Sequence, residues 1–196
     1  MENKVFKENI NYYRKQLIKA DFSKFPEILN IAVDGNVATV PYLQSEFQVS
    51  PDGVENANYS TSVVLFKHLL MCPLFVPSQT TWTHPREFKD AGHSSDAGLS
   101  ETVLVRIADE FKGNAPRLKD AIARIGGIEA TDMPYDLAAR ISVLPRLPVL
   151  LLFNDAEEGF PAEAKILYEQ RAPAFLDAEC RAMVDYELYR QLKKAA

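Results

Sequence analysis

The sequence is poor in cysteine and histidine. Its 196 residues include two cysteines, Cys72 and Cys180, and three histidines. No Cys-x-x-Cys pair occurs, so a thiolate zinc ribbon has no ligand set here, and an iron–sulfur cluster needs four thiolates. Each cysteine lies in an apolar, helix-like stretch, the setting of a packed, reduced thiol rather than of a bridge. Long apolar runs are absent too. The longest, Leu147 to Phe153, contains a proline and falls far short of the roughly 20 residues that span a bilayer. The opening Met1-Glu2-Asn3-Lys4 lacks the apolar segment of a signal peptide, so a cytoplasmic location is expected. Basic surplus is missing as well. The net charge is −5, with lysine and arginine dispersed among the acids. Displacing phosphate counterions takes a basic stripe, so neither nucleic acid nor an anionic membrane is an expected partner. The sequence also lacks Gly-x-Gly-x-x-Gly, the phosphate-binding Gly-x-x-x-x-Gly-Lys-Ser/Thr, Gly-x-Ser-x-Gly and His-Glu-x-x-His. The common nucleotide, hydrolase and zinc-protease chemistries lose their usual signatures with them.

What is present is ordinary for a globular chain: 47% hydrophobic and 25% charged residues. A chain of this length buries roughly 70% of the surface its unfolded form exposes, enough to fold without metal or disulfide. Residues 1–196 read as one domain, with a helix in 1–20 at its periphery. Phe6, Ile10, Tyr13 and Leu17 give that helix its period. Between Ile31 and Val49 the period shortens to that of strands. Asp34-Gly35-Asn36 marks a tight turn, and three antiparallel strands are expected. Ser60 to Met71 is apolar almost all round and stops before Pro73, as a buried helix does.

Ser100 is placed to cap a helix carrying Val103, Ile107 and Phe111 on one face, and Asn114 to cap another that ends at Gly126-Gly127. Leu137 to Phe153 reads as two strands of a hairpin joined at Pro145-Arg146-Leu147-Pro148, the second central in the sheet. Ala162 to Tyr168 reads as a short helix. Asp177 caps a last helix faced by Cys180, Val184, Leu188 and Leu192. The fold expected is α+β: an antiparallel sheet of about five strands covered by helices, with one long polar loop from Pro77 to Ser100.

Chemistry concentrates in three places. Asp90, His93 and Asp96 recur at threes in the long loop, a spacing that would suit a cation or poise the imidazole as a base. A solvated Gly/Ser-rich loop accounts for the same residues. Trp82, His84, Arg86 and Glu87 precede them. Asp155, Glu157 and Glu158 follow the most apolar strand, either at the mouth of a site or as an acidic turn in solvent. Arg86 would pair with Asp155, so that the two segments either line one polar cleft or form a structural clamp that pins the loop with no ligand. His68 and Cys72, four apart on a helix, share a face. They fit two metal ligands or, more plainly, a packed thiol and a hydrogen-bonded imidazole.

Several segments carry a family resemblance. Leu144-Pro145-Arg146-Leu147-Pro148-Val149-Leu150-Leu151-Leu152 leads. Asp155 to Pro161, Ala164-Lys165-Ile166-Leu167-Tyr168 and Ala172-Pro173-Ala174-Phe175-Leu176 continue it. Trp82-Thr83 and Arg86-Glu87-Phe88 are similar to the family's other marked segment. Together they resemble the bacterial and archaeal family catalogued as domain of unknown function 3786, from about Phe22 to Leu192. The resemblance implies an anaerobe and a role near redox or one-carbon metabolism. It leads to three functional expectations. The first is binding of a small cofactor or metabolite, as an accessory protein, through Trp82, His84, Arg86, Glu87, Asp155 and Glu158. The second is a hydrolase-like enzyme in which His84 or His93 pairs with Asp155 or Glu158. The third is an interaction module docking an iron–sulfur partner through Tyr12, Tyr13, Tyr186 and Tyr189.

Overall fold

The computed structural model describes residues 4–90 and 95–196, the side chains of 95–99 excepted. Helix α1 (Lys4–Leu17) runs beside α3 (Tyr59–Leu70), with Phe6 stacked on Tyr59 and Tyr13 against Phe66. The short α2 (Phe25–Leu29) lies between them in the chain. The Asn58 side chain caps α3 by accepting the Thr61 N–H at 2.9 Å. Eight of the twelve residues of α3 are buried, as its largely apolar sequence leads one to expect.

The strand-like stretch after residue 31 forms a sheet of its own: β1 (Ala32–Asp34), β2 (Val37–Tyr42), β3 (Ser45–Ser50) and β4 (Gly53–Val54), all antiparallel in that order. It is therefore a separate four-stranded sheet and not part of the larger one. The two meet where the Leu43 N–H donates to the Val143 carbonyl and Gln44 donates to the Ile125 carbonyl.

The second sheet has the order β5 (Trp82–Thr83), β9 (Glu163–Glu169), β8 (Leu147–Asn154), β7 (Leu137–Leu144), β6 (Ile128–Glu129). The β7–β8 hairpin turns at Pro145-Arg146. Pro145 presets one dihedral, and Arg146 takes a left-handed φ of 62°. That strained residue is held in place, since its Nε donates to the Ile28 carbonyl at 3.0 Å. The hairpin ladder shifts register between Ser142 and Leu144, beside Pro148, which has no N–H to donate. Strand β8 is central and nearly all buried.

Glu163–Glu169 is a strand, not the helix that its alanine, glutamate and lysine content suggests. Ala164, Ile166 and Tyr168 alternate into the core, and the free edge of β8 supplies the hydrogen bonds that seven residues cannot make alone. Trp82–Thr83 then pairs with β9, so the long polar connection is partly ordered as a strand and a 3-10 turn, Pro85–Glu87.

Three helices cover the inner face: α4 (Ser95–Phe111), α5 (Ala115–Arg124) and α6 (Ala178–Ala195). Helix α4 begins at Ser95, so Ser100 is not its cap but a residue within it. Asn114 and Asp177 do cap α5 and α6. One buried apolar cluster reaches from Leu17 to Leu192. A smaller one on the outer face gathers Ala138, Leu150 and Leu152, with Trp82 and Leu167 against it.

Candidate functional site

The expected residues fall into two places rather than one. His84 turns back on its own chain, where its Nδ1 accepts the Arg86 N–H at 3.3 Å and caps the 3-10 turn. Burial, and then the neighbouring Arg86 charge, lower its pKa below the ordinary imidazole value. Arg86 forms an ion pair with Glu101 in α4. Glu87 is exposed beside it.

Asp155 lies at the other end of α4. Its carboxylate accepts the backbone N–H groups of Gly113 (2.6 Å), Ala115 (3.2 Å) and Ala156 (2.7 Å), while its own N–H donates to Asp136. Burial works against that charge, but the three N–H groups outweigh it and hold the pKa below the usual carboxylate value. The expected Arg86–Asp155 pair is thus not formed. The helix sets them apart, because the ten residues from Glu101 to Phe111 rise about 15 Å. Asp155 instead pins the α4–α5 corner to the end of β8. An open cleft of about 540 Å³ lies there, lined by Asp136, Asp155, Glu157, Phe160 and Glu163, with Glu158 exposed nearby.

Of the triplet Asp90, His93 and Asp96, His93 and the Asp96 side chain lie outside the described residues. Among the described residues, no group of three or more His, Cys, Asp or Glu is arranged to hold a metal. His68 is fully buried. Its Nδ1–H donates to the Phe175 carbonyl at 3.3 Å, and its Nε2 has no partner. Burial drives its pKa down to about 4. Cys72 and Cys180 are free and buried. Of the four tyrosines, Tyr12 and Tyr186 are exposed, while Tyr13 packs on Phe66 beneath Lys67.

A further polar constellation has no counterpart in the sequence-based expectations. Tyr168 points inward from β9 because of the strand's alternation. It meets Asp185 of α6, with its hydroxyl 2.6 Å from Asp185 Oδ1. The Ser100 hydroxyl, from α4, donates to Asp185 Oδ2 at 2.9 Å. Asp185 is 2% exposed, and burial pushes its pKa up to about 6, against the pull of the two hydroxyls and Arg181.

One turn earlier on α6 stands Arg181, also 2% exposed. Asp90 grips its guanidinium with both oxygens, at 2.8 and 3.0 Å. The Leu176 carbonyl takes a further bond at 2.6 Å. The Phe88 ring lies 4.8 Å from the guanidinium carbon, and Nε has no partner. Asp90, then, belongs to an arginine fork. The sequence held one signal for this. Arg181 and Asp185 are four apart and flank the Cys180–Val184–Leu188 stripe, so a helix packed on several sides would bury them. The misread strand removed their partner Tyr168 from view.

The arrangement defines an α+β protein with a charged cluster between strand β9 and the helices α4 and α6. It can present a fork of N–H donors and an acid able to carry or release a proton near pH 6. The chain belongs to the family described as Domain of unknown function (DUF3786), whose profile matches residues 21–191. No curated protein and no solved structure matches it. Among the described residues, no helix is long and apolar enough to cross a membrane.

Proposed function

We propose that this protein binds a small polar metabolite or cofactor, as an accessory protein, at the Asp90–Arg181 pair and the adjoining Asp185–Tyr168–Ser100 cluster. The observation that carries the reading is an arginine at 2% exposure whose charge is met by a side chain 36% exposed, from a connecting segment. Burying such a pair gains little net stability over apolar residues of similar volume, so the core has no need of it. A charge kept there at that cost suits recognition. The hydrolase reading draws less support. The His84 ring is engaged by its own backbone, and Asp155 already accepts three N–H groups. Docking of a protein partner has one observation in its favour: adjacent Leu74 and Phe75, 85% and 73% exposed, in the segment after α3.

The cytoplasmic, anaerobic, redox or one-carbon setting, and a redox or iron–sulfur protein as partner, are part of this proposal on the strength of the resemblance alone. Native mass spectrometry of protein purified without oxygen tests the binding reading. A stoichiometric adduct, or a saturable melt shift with one member of a metabolite panel, is the expected result. An unliganded mass together with a flat panel would remove the reading.

A further inference from the structure

We infer that the ligand carries a carboxylate group, and that Asp90 occupies the place of that group on Arg181 until the ligand arrives. This rests on the binding reading above and adds the ligand's chemical class.

The geometry supplies the argument. A guanidinium fork bonded through two nitrogens to two oxygens of one planar group is shaped for a carboxylate. Asp90 shows that such a group fits. The two partners differ in how they are held. Arg181 is fixed by the Leu176 carbonyl, by the Phe88 ring and by its place on α6. Asp90 comes from the connection between a 3-10 turn and α4, and its side chain is 36% exposed where that of Arg181 is 2% exposed. Asp90 is the exposed member of the pair, so the route by which a ligand would come to Arg181 is through its place. A carboxylate entering from there meets the same two nitrogens, and the charge of the cluster is unchanged when one monoanion replaces another. The unpartnered Nε–H is a further donor on the same guanidinium, so the fork has a hydrogen bond to offer beyond those it makes to Asp90. A phosphate dianion fits worse. It would add a second negative charge one helical turn from Asp185, whose burial already penalises its own charge.

The test uses the full chain, with formate and acetate as probes and chloride and inorganic phosphate at matched ionic strength. Asp90→Ala vacates the place, and its melt should rise saturably with formate or acetate, towards the wild-type value. Wild type should respond to the same probes with at least tenfold weaker apparent affinity, because Asp90 competes. Arg181→Lys in the Asp90→Ala background should abolish the response. If Asp90→Ala does not fold, Asp90→Asn, which keeps the volume, takes its place in the same titrations.

A variant that responds equally to chloride overturns the inference. So does a wild type with no saturable response, or a response that survives Arg181→Lys. Stabilisation by phosphate and not by carboxylates overturns it as well. A native-spectrometry adduct lost in the Asp90 variant, with no carboxylate response, would sink this inference and leave the binding reading standing. Absence of both would remove both.

Discussion

Asp185→Asn should make the protein more stable, and more so at neutral than at acid pH. Asp185 is enclosed, and its folded pKa is about 6 against an ordinary 3.8. For an acid, a raised folded pKa means that the folded state holds the proton more tightly than the unfolded chain. Stability is therefore present at low pH and lost as pH rises from 3.8 through 6. The shift of about 2 pH units corresponds to roughly 3 kcal/mol at pH 7.5, falling to about 1 kcal/mol at pH 4.5. Asparagine is neutral and of the same size. Its oxygen can accept from Tyr168, and its amide can donate to the Ser100 hydroxyl. The variant should thus lack the neutral-pH penalty. At about 2–4 °C per kcal/mol for a chain of this size, its melt at pH 7.5 should rise by roughly 6–12 °C. Urea unfolding of both proteins at pH 7.5 and 4.5 measures the gap directly. A variant destabilised at pH 7.5, or a gap that does not narrow towards acid, would refute the reasoning. The Asp185 carboxylate would then be a required partner of Arg181, not a tolerated charge.

His68 acts in the opposite sense. Its folded pKa is about 4 against 6.5, so the neutral ring contributes stability above pH 6.5 that is lost as pH falls towards 4. His68→Gln should flatten the acid limb of the stability profile by roughly 3 kcal/mol, and an unchanged limb in urea titrations would count against a buried neutral imidazole. Leu151→Ala, in the central strand and 1% exposed, should cost about 2–5 kcal/mol. A loss under about 1 kcal/mol would contradict its packing. Asp155→Ala strips three backbone N–H groups of their acceptor and should lower stability by about 1–2 kcal/mol. Arg86→Ala breaks a half-exposed ion pair and should change the melt little, so a larger effect for Arg86 than for Asp155 would reverse the roles given to them.

Much of the architecture follows from local chemistry. The caps Asn114 and Asp177, the turn at Pro145-Arg146, the buried α3 and the central β8 are each written within a dozen residues. Each depends on side chains meeting their own backbone or on an unbroken apolar stripe. The family, too, was legible from its segments. Other features depend on partners far along the chain. Glu163–Glu169 carries helix-forming residues, and only the unpaired edge of β8 makes it a strand. Ser100 resembles a cap, yet its hydroxyl serves Asp185, eighty-five residues away. Arg86 and Asp155 look complementary in sequence, but the length of α4 separates them. Asp90 looked like one of three metal ligands, and packing gave it to Arg181. Local hydrogen bonding and hydrophobic period act over a few residues, so the sequence determines them. The enclosure of Arg181, Asp185 and Tyr168 is set by how one strand and two helices pack, and that is decided only when the tertiary structure closes over them.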